Sequence, residues 1–293
     1  MSHLFKGIGV AVTAPFQQGA VDYEAFRNHL KFLIEQGSHS LVVNGTTGES
    51  STLTDEEKTE LLKIAVKTAD GKIPVIAGTG SNNTAHSIAA SKEAEGLGVD
   101  GLLLITPYYN KTSQKGLIAH FTAIADETNL PIILYNVPAR TGMTIAPETV
   151  AELSKHPRIV GLKDATGDMN YLSQVKLLTD DSFAMYSGND DSFLPFMSLG
   201  GDGIISVAAN ALPKEYVELY EASLTNVTKA QKLHYHLYPL VDALSMDVNP
   251  IPIKVLTSHL GYGTYELRLP LVPLEDSKQQ QLIDAFNHVR GGN

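Results

Sequence analysis

Pro131-Ile-Ile-Leu-Tyr-Asn-Val-Pro-Ala-Arg140 and, one period later, Ile159-Val-Gly-Leu-Lys-Asp-Ala-Thr-Gly167 decide the fold. Each is a short apolar run that closes in polar residues and a Pro or Gly, ahead of a stretch with helical spacing. A strand that is apolar at every position is covered on both faces, as in a parallel sheet; an antiparallel strand with one wet face would alternate. The same unit recurs in both directions along the chain, giving strand candidates at 8–13, 40–43, 74–77, 101–105, 131–135, 159–163, 183–187 and 203–207. Helix signals lie between them. Thr54-Asp-Glu-Glu57 reads as a capping box ahead of Leu-Leu-Lys-Ile-Ala-Val, and Pro147-Glu148 as a first helical turn. Eight βα units in about 220 residues predict a (β/α)8 TIM barrel of the α/β class, with a doubly wound open sheet as the second choice. Beyond Pro213 the strand signals stop. Helical stretches near 213–224, 226–246, 250–260 and 276–289 predict a small all-helical C-terminal appendage, so residues 1–224 are expected to form a catalytic barrel and 225–293 the appendage.

The composition narrows the function. At 293 residues with 43% hydrophobic and 18% charged residues, the chain is long and apolar enough to bury a sizeable core, which excludes a disordered chain. With 22 basic against 32 acidic residues the net charge is −10, a poor surface for nucleic acid or an anionic membrane. No apolar stretch approaches the roughly 20 residues of a membrane helix, and the opening MSHLFKGIGV lacks the features of a signal peptide, so a cytoplasmic protein is expected. With no cysteine, a nucleophile must be Ser, Thr, Lys, Tyr or a carboxylate. The ten histidines contain no HExxH, and His234 and His236 fall on different sides of a helix, so no metal site is expected. Gly96-Leu-Gly-Val-Asp-Gly101 is a literal GxGxxG, but it precedes a strand where a dinucleotide site must follow one.

In a barrel of this kind the site lies at the C-terminal ends of the strands. Those ends are polar: Asn44-Gly-Thr-Thr-Gly-Glu-Ser50, Thr106-Pro-Tyr-Tyr-Asn-Lys111, Tyr135 to Arg140, Lys163-Asp-Ala-Thr-Gly167 and Ser187-Gly-Asn-Asp-Asp191. Lys163 is the informative residue, because it closes an apolar strand where packing alone would place Val or Leu. An ordinary lysine, with a pKa near 10.4, offers about one neutral amine in a thousand at neutral pH. An apolar barrel interior disfavours the ammonium, and a lysine so treated forms Schiff bases with carbonyl substrates. The alternative is a lysine that reaches solvent or pairs with Asp164, Asp190 or Asp191. Tyr135 ends the neighbouring strand at the equivalent position and can face the same pocket, as a proton shuttle or as a packed aromatic. The turn at Thr46 and Thr47 offers N–H groups and hydroxyls to a carboxylate, and Arg140 offers a planar fork to a second one. Glu49, Asp164, Asp190 and Asp191 leave a carboxylate hydrolase as a further possibility.

Taken together, the segments at 45–50, 106–111, 135–140, 161–167, 187–190 and 203–210 resemble the dihydrodipicolinate synthase family, with Asn249-Pro-Ile-Pro-Ile-Lys254 and Leu267-Arg-Leu-Pro-Leu271 extending the match into the appendage. The resemblance implies a pyruvate-dependent, class I aldolase-like enzyme that condenses pyruvate with L-aspartate 4-semialdehyde to 4-hydroxy-tetrahydrodipicolinate, on the route to diaminopimelate and lysine. It implies a pyruvate imine on Lys163, with no external cofactor. It also implies a proton relay of Tyr135, Thr46 and a Tyr109 contributed by a partner subunit, hence a homodimer or homotetramer. Thr47 would hold the pyruvate carboxylate and Arg140 that of the semialdehyde, with Gly188 and Ile205 lining the pyruvate side. N-acetylneuraminate and keto-deoxy-sugar lyases share the lysine and tyrosine; Arg140 with the paired threonines favours the synthase. A non-catalytic pyruvate-binding protein is the rival from another class. One departure concerns regulation. Lysine-inhibited members place histidines at the positions of Asp55 and Lys58 and a glutamate at that of His86. Asn82 and Tyr108 are kept, and weak or absent inhibition by lysine is expected.

Overall fold

The computed structural model describes residues 3–291. Eight parallel strands close into a barrel in chain order: β1 (Gly7–Ala11), β2 (Ser40–Val43), β3 (Val75–Gly78), β4 (Gly101–Ile105), β5 (Ile132–Asn136), β6 (Ile159–Asp164), β7 (Ala184–Ser187) and β8 (Gly203–Ser206). Closure is direct, since β8 pairs with β1 from Gly7↔Gly203 to Val10↔Ser206, and it excludes the open-sheet alternative. The expected capping box is formed: Glu57 N–H donates to the Thr54 hydroxyl at 3.2 Å and Thr54 N–H to the Glu57 carboxylate at 2.9 Å, starting the helix Asp55–Ala69.

Although the strands read as continuously apolar, successive residues still point to opposite faces. Ile132, Leu134 and Leu162 join the large cluster between strands and helices, whereas Val42, Ile76, Leu103, Ile133 and Tyr135 join the smaller cluster inside the barrel. By the same parity Gly161 and Lys163 point inward, beside Ile133 and Tyr135, their register partners on β5. At the opposite end Phe5 stacks on Tyr186 with ring centroids 4.3 Å apart, and the Tyr186 hydroxyl donates to the Phe5 carbonyl at 2.7 Å. Gly9 makes room for this plug, because a Cβ there would lie 2.9 Å from the Phe5 ring. The interior is therefore filled at one end and carries its reactive groups at the other.

The helix Pro213–Thr225 packs against β1 and completes the outer ring, and Val227–Leu244, Ile251–His259 and Asp276–Gly291 pack on one another beyond it. A buried ion pair ties these last helices to the barrel. Lys254 Nζ lies 2.5 Å from Glu49 Oε1, with both side chains almost fully enclosed, and the Arg268 N–H donates to Glu49 Oε2 at 3.1 Å. Lys254 and Arg268 flank the Phe16 ring at 4.0 and 4.5 Å, and the Arg268 guanidinium grips both oxygens of Glu57 at 2.6 Å. Removing one partner of such a pair strands a charge in a medium that cannot solvate it. Lys254→Met is expected to lower unfolding stability by about 3 to 5 kcal/mol in denaturant titration, and Glu49→Gln with Lys254→Met to restore most of that loss.

Candidate active site

The open end of the barrel holds a cavity of about 490 Å³ lined by Thr46, Thr47, Tyr135, Arg140, Lys163 and Gly188, among others. Lys163 arrives from β6 by the inward parity just described. It is buried, its Nζ lies 4.3 Å from the centroid of the Tyr135 ring, and it forms no ion pair with any described carboxylate. Burial pulls its pKa from the usual 10.5 down to about 8, against the attraction of Asp190 and with help from the Arg140 charge. With a pKa of about 8, roughly a tenth of the population is neutral amine at pH 7.

The acids that could have neutralised Lys163 are held elsewhere. Asp164, next along the strand, points outward, where it accepts from Thr166 N–H at 3.2 Å, the Thr166 hydroxyl at 2.8 Å and Asn136 Nδ2 at 3.3 Å. Burial raises its pKa to about 6 in spite of those donors. Asp190 borders the cavity, but its oxygens accept from Val207 N–H at 3.0 Å, Ala208 N–H at 3.1 Å and the Ser206 hydroxyl. Its charge reaches Lys163 without contact. Glu49 is committed to Lys254, so Glu49 and Asp164 are removed from any hydrolytic pair across the cavity.

Burial raises the pKa of Tyr135, opposed by the Arg140 charge and by the Thr46 hydroxyl beside it, so the phenol keeps its proton at neutral pH. Thr46–Gly48 forms a 3-10 turn between Gly45 and Glu49, and Glu49 takes the left-handed conformation at φ 52° that ends it. Gly188 N–H donates to the Asp164 carbonyl at 2.7 Å, and a Cβ at 188 would meet Ala165 Cβ at 2.7 Å, so only glycine fits there. Arg140, on the short helix Pro138–Thr141, is exposed at the mouth, and its Nη2 donates to the Asn249 carbonyl at 3.0 Å. Ile205 is fully buried in the inner cluster with Ile133 and Tyr135 and is not among the residues that line the cavity, contrary to expectation. Tyr109 is not brought to the cavity of its own chain: it is 94% exposed on the loop after β4, with φ 68°. Sequence reasoning missed the wall supplied by the appendage, Tyr238, Asp242, Ser245 and Asn249. The available signal was the polar head of Asn249-Pro-Ile-Pro-Ile-Lys254, given no role.

A second cavity, of about 510 Å³, is lined by Asp55, Lys58, Asn82, His86, Glu93 and Tyr108. Lys58 Nζ lies 3.2 Å from Asp55 Oδ1, so these two charges already answer each other. Among the described residues no group of three or more His, Asp or Glu could hold a metal ion, and no helix is long and apolar enough to cross a membrane.

Comparison with known proteins agrees with this geometry. The model of the Dihydrodipicolinate synthetase family matches residues 4–289. The 4-hydroxy-tetrahydrodipicolinate synthase of Macrococcus caseolyticus is 55% identical over 289 residues, covering 99% of this chain and 98% of its own. That of Staphylococcus haemolyticus is 53% identical over 293 residues, covering 100% and 99%. The crystal structure of the Cyanidioschyzon merolae enzyme with lysine bound superposes with a TM-score of 0.96 at 40% identity, covering 99% of both chains. A match over nearly the whole length, in sequence and in backbone, places this chain in the dihydrodipicolinate synthetase family.

Proposed function

We propose that the chain is a Schiff-base-forming lyase that condenses pyruvate with L-aspartate 4-semialdehyde to 4-hydroxy-tetrahydrodipicolinate, in diaminopimelate and lysine biosynthesis. The observation that carries the reading is the buried, unpaired Lys163 amine against the Tyr135 ring, between a turn bearing two threonines and a fixed arginine. The neutral amine attacks the pyruvate carbonyl carbon, and the oxygen leaves as water on taking protons relayed by Tyr135 and Thr46. The protonated imine draws electrons from the methyl group, which loses a proton to give an enamine. The enamine carbon then adds to the aldehyde carbon, whose oxygen takes a proton. Attack of the semialdehyde's own amine on the imine carbon closes the ring and releases Lys163. Through the reaction Thr47 and its turn hold the pyruvate carboxylate, with Gly188 beside it and Ile205 supporting the floor, and Arg140 holds the semialdehyde carboxylate. Arg140 is anchored on the Asn249 carbonyl, which suits a carboxylate better than the polyhydroxylated chain of a sugar-acid lyase substrate.

The exposure of Tyr109 fits its use in the site of a second copy, so we read the working unit as a homodimer or homotetramer, in the cytoplasm. We read 1–224 as the catalytic barrel and 225–293 as the appendage; the chain ends at 1, 2, 292 and 293 lie outside the described residues.

Borohydride reduction in the presence of pyruvate is expected to leave one adduct, on Lys163 by peptide mapping, and none in Lys163→Ala. No adduct, or one spread over surface lysines, would favour a non-catalytic binding protein. Offering the trapped-competent enzyme L-aspartate 4-semialdehyde or N-acetylmannosamine separates the synthase from a sialic acid lyase. Because the attacking form is the deprotonated amine, the initial trapping rate at fixed pyruvate is expected to rise with pH through about 8 and to level off above it. A midpoint near the usual lysine value would overturn the part assigned to burial. Tyr135→Phe keeps the packed ring and removes the proton, and is expected to reduce kcat by about 100-fold or more in steady-state assay. For the second cavity, a lysine effector would bring two ammonium groups to a site where Lys58 repels them and already occupies Asp55. Initial rates are expected to be insensitive to sub-millimolar lysine.

A further inference from the structure

In the chemistry above the motif Asn249-Pro-Ile-Pro-Ile-Lys254 contributes only a main-chain carbonyl, yet the side chains at both its ends reach the same short loop of the barrel. Lys254 holds Glu49, and Asn249 Nδ2 donates to Thr47 Oγ1 at 3.0 Å across 202 positions of sequence. The Asn249 main-chain carbonyl is the acceptor for Arg140 Nη2 at 3.0 Å. Asn249 borders the cavity, and its Oδ1 is buried without a partner. A threonine hydroxyl has one proton and two lone pairs. When an amide N–H occupies a lone pair, the hydroxyl proton is left free to be donated elsewhere, and Thr47 borders the cavity.

We propose that Asn249 is a positioning residue for both substrate carboxylates: its side-chain amide makes the Thr47 hydroxyl a donor toward pyruvate, and its main-chain carbonyl holds the Arg140 fork over the semialdehyde site. One residue of the appendage thereby sets the spacing between the two sites. The inference rests on the roles proposed for Thr47 and Arg140. The two links respond differently to mutation, since the carbonyl survives any substitution and the amide does not.

The test is steady-state kinetics on folded full-length protein, checked by thermal melting. Asn249→Ala is expected to raise the pyruvate KM about five- to ten-fold, the value of one lost hydrogen bond, with the semialdehyde KM and kcat within about two-fold. The borohydride adduct on Lys163 persists at saturating pyruvate. In a Thr47→Val background the effect of Asn249→Ala disappears, whereas in Thr47→Ser, which keeps the hydroxyl, it remains. Asn249→Asp, close to isosteric and suited to the case where the alanine variant does not fold, turns the donor into an acceptor and sets a negative charge beside the pyruvate site. Its pyruvate KM is expected to rise by at least as much. A pyruvate KM within about two-fold of wild type in the folded variants, or an equal effect in the Thr47→Val background, would overturn the inference while leaving the parent reading intact. Wild-type protein that traps no pyruvate would overturn both.

Discussion

An ammonium group taken out of water must find a counter-charge or lose its proton, and burial lowers the pKa of both buried lysines among the described residues, of which one is paired and the other is not. Lys254 has a carboxylate at 2.5 Å and becomes a structural tie. Lys163 has none in contact, and Asp190, whose charge reaches it, is held by Ser206 and the amides of 207 and 208. The proton of Lys163 is therefore loosened, and the amine becomes available near neutral pH. The arrangement depends on the barrel being closed: an open sheet edge would admit water to the strand end, and the desolvation that loosens the Lys163 proton would be lost.

The appendage is part of the same device. It walls the cavity with Tyr238, Asp242, Ser245 and Asn249, and it fixes the turn carrying Thr46 and Thr47 from two points, Asn249 on Thr47 and Lys254 on Glu49. Arg268 adds a third hold through Glu57, at the start of the helix that follows the turn. The turn is itself buried at Thr47, Gly48 and Glu49, and these charged and amide contacts add to the packing that fixes it.

Much of this was legible in the sequence. Eight apolar runs with interposed helix starts identify a parallel barrel, and strand parity places Tyr135 and Lys163 on one inner face from position alone. The capping box at Thr54 was readable because both halves lie within one turn. What escaped was non-local. Asn249 lies 202 residues from the hydroxyl it holds, and no periodicity connects them. Glu49 and Asp164 looked like candidate acids because sequence shows a carboxylate without showing which cation or donors already occupy it. Ile205 was expected to line the pyruvate side, whereas the structure buries it in the inner cluster, an enclosure that only the closed sheet fixes.

The separation of Glu49 from Lys254 has a consequence for how the protein is made. The pair spans 205 positions, so at the usual 5 to 20 residues per second the ribosome delivers Lys254 about 10 to 40 s after Glu49. During that interval the nascent barrel carries a carboxylate shaped for burial with nothing to bury it against, and β1 also waits for β8. The barrel strands are complete by Ser206, but Glu49 cannot be locked until nearly nine-tenths of the chain has appeared, so the finished site is a late acquisition in biosynthesis.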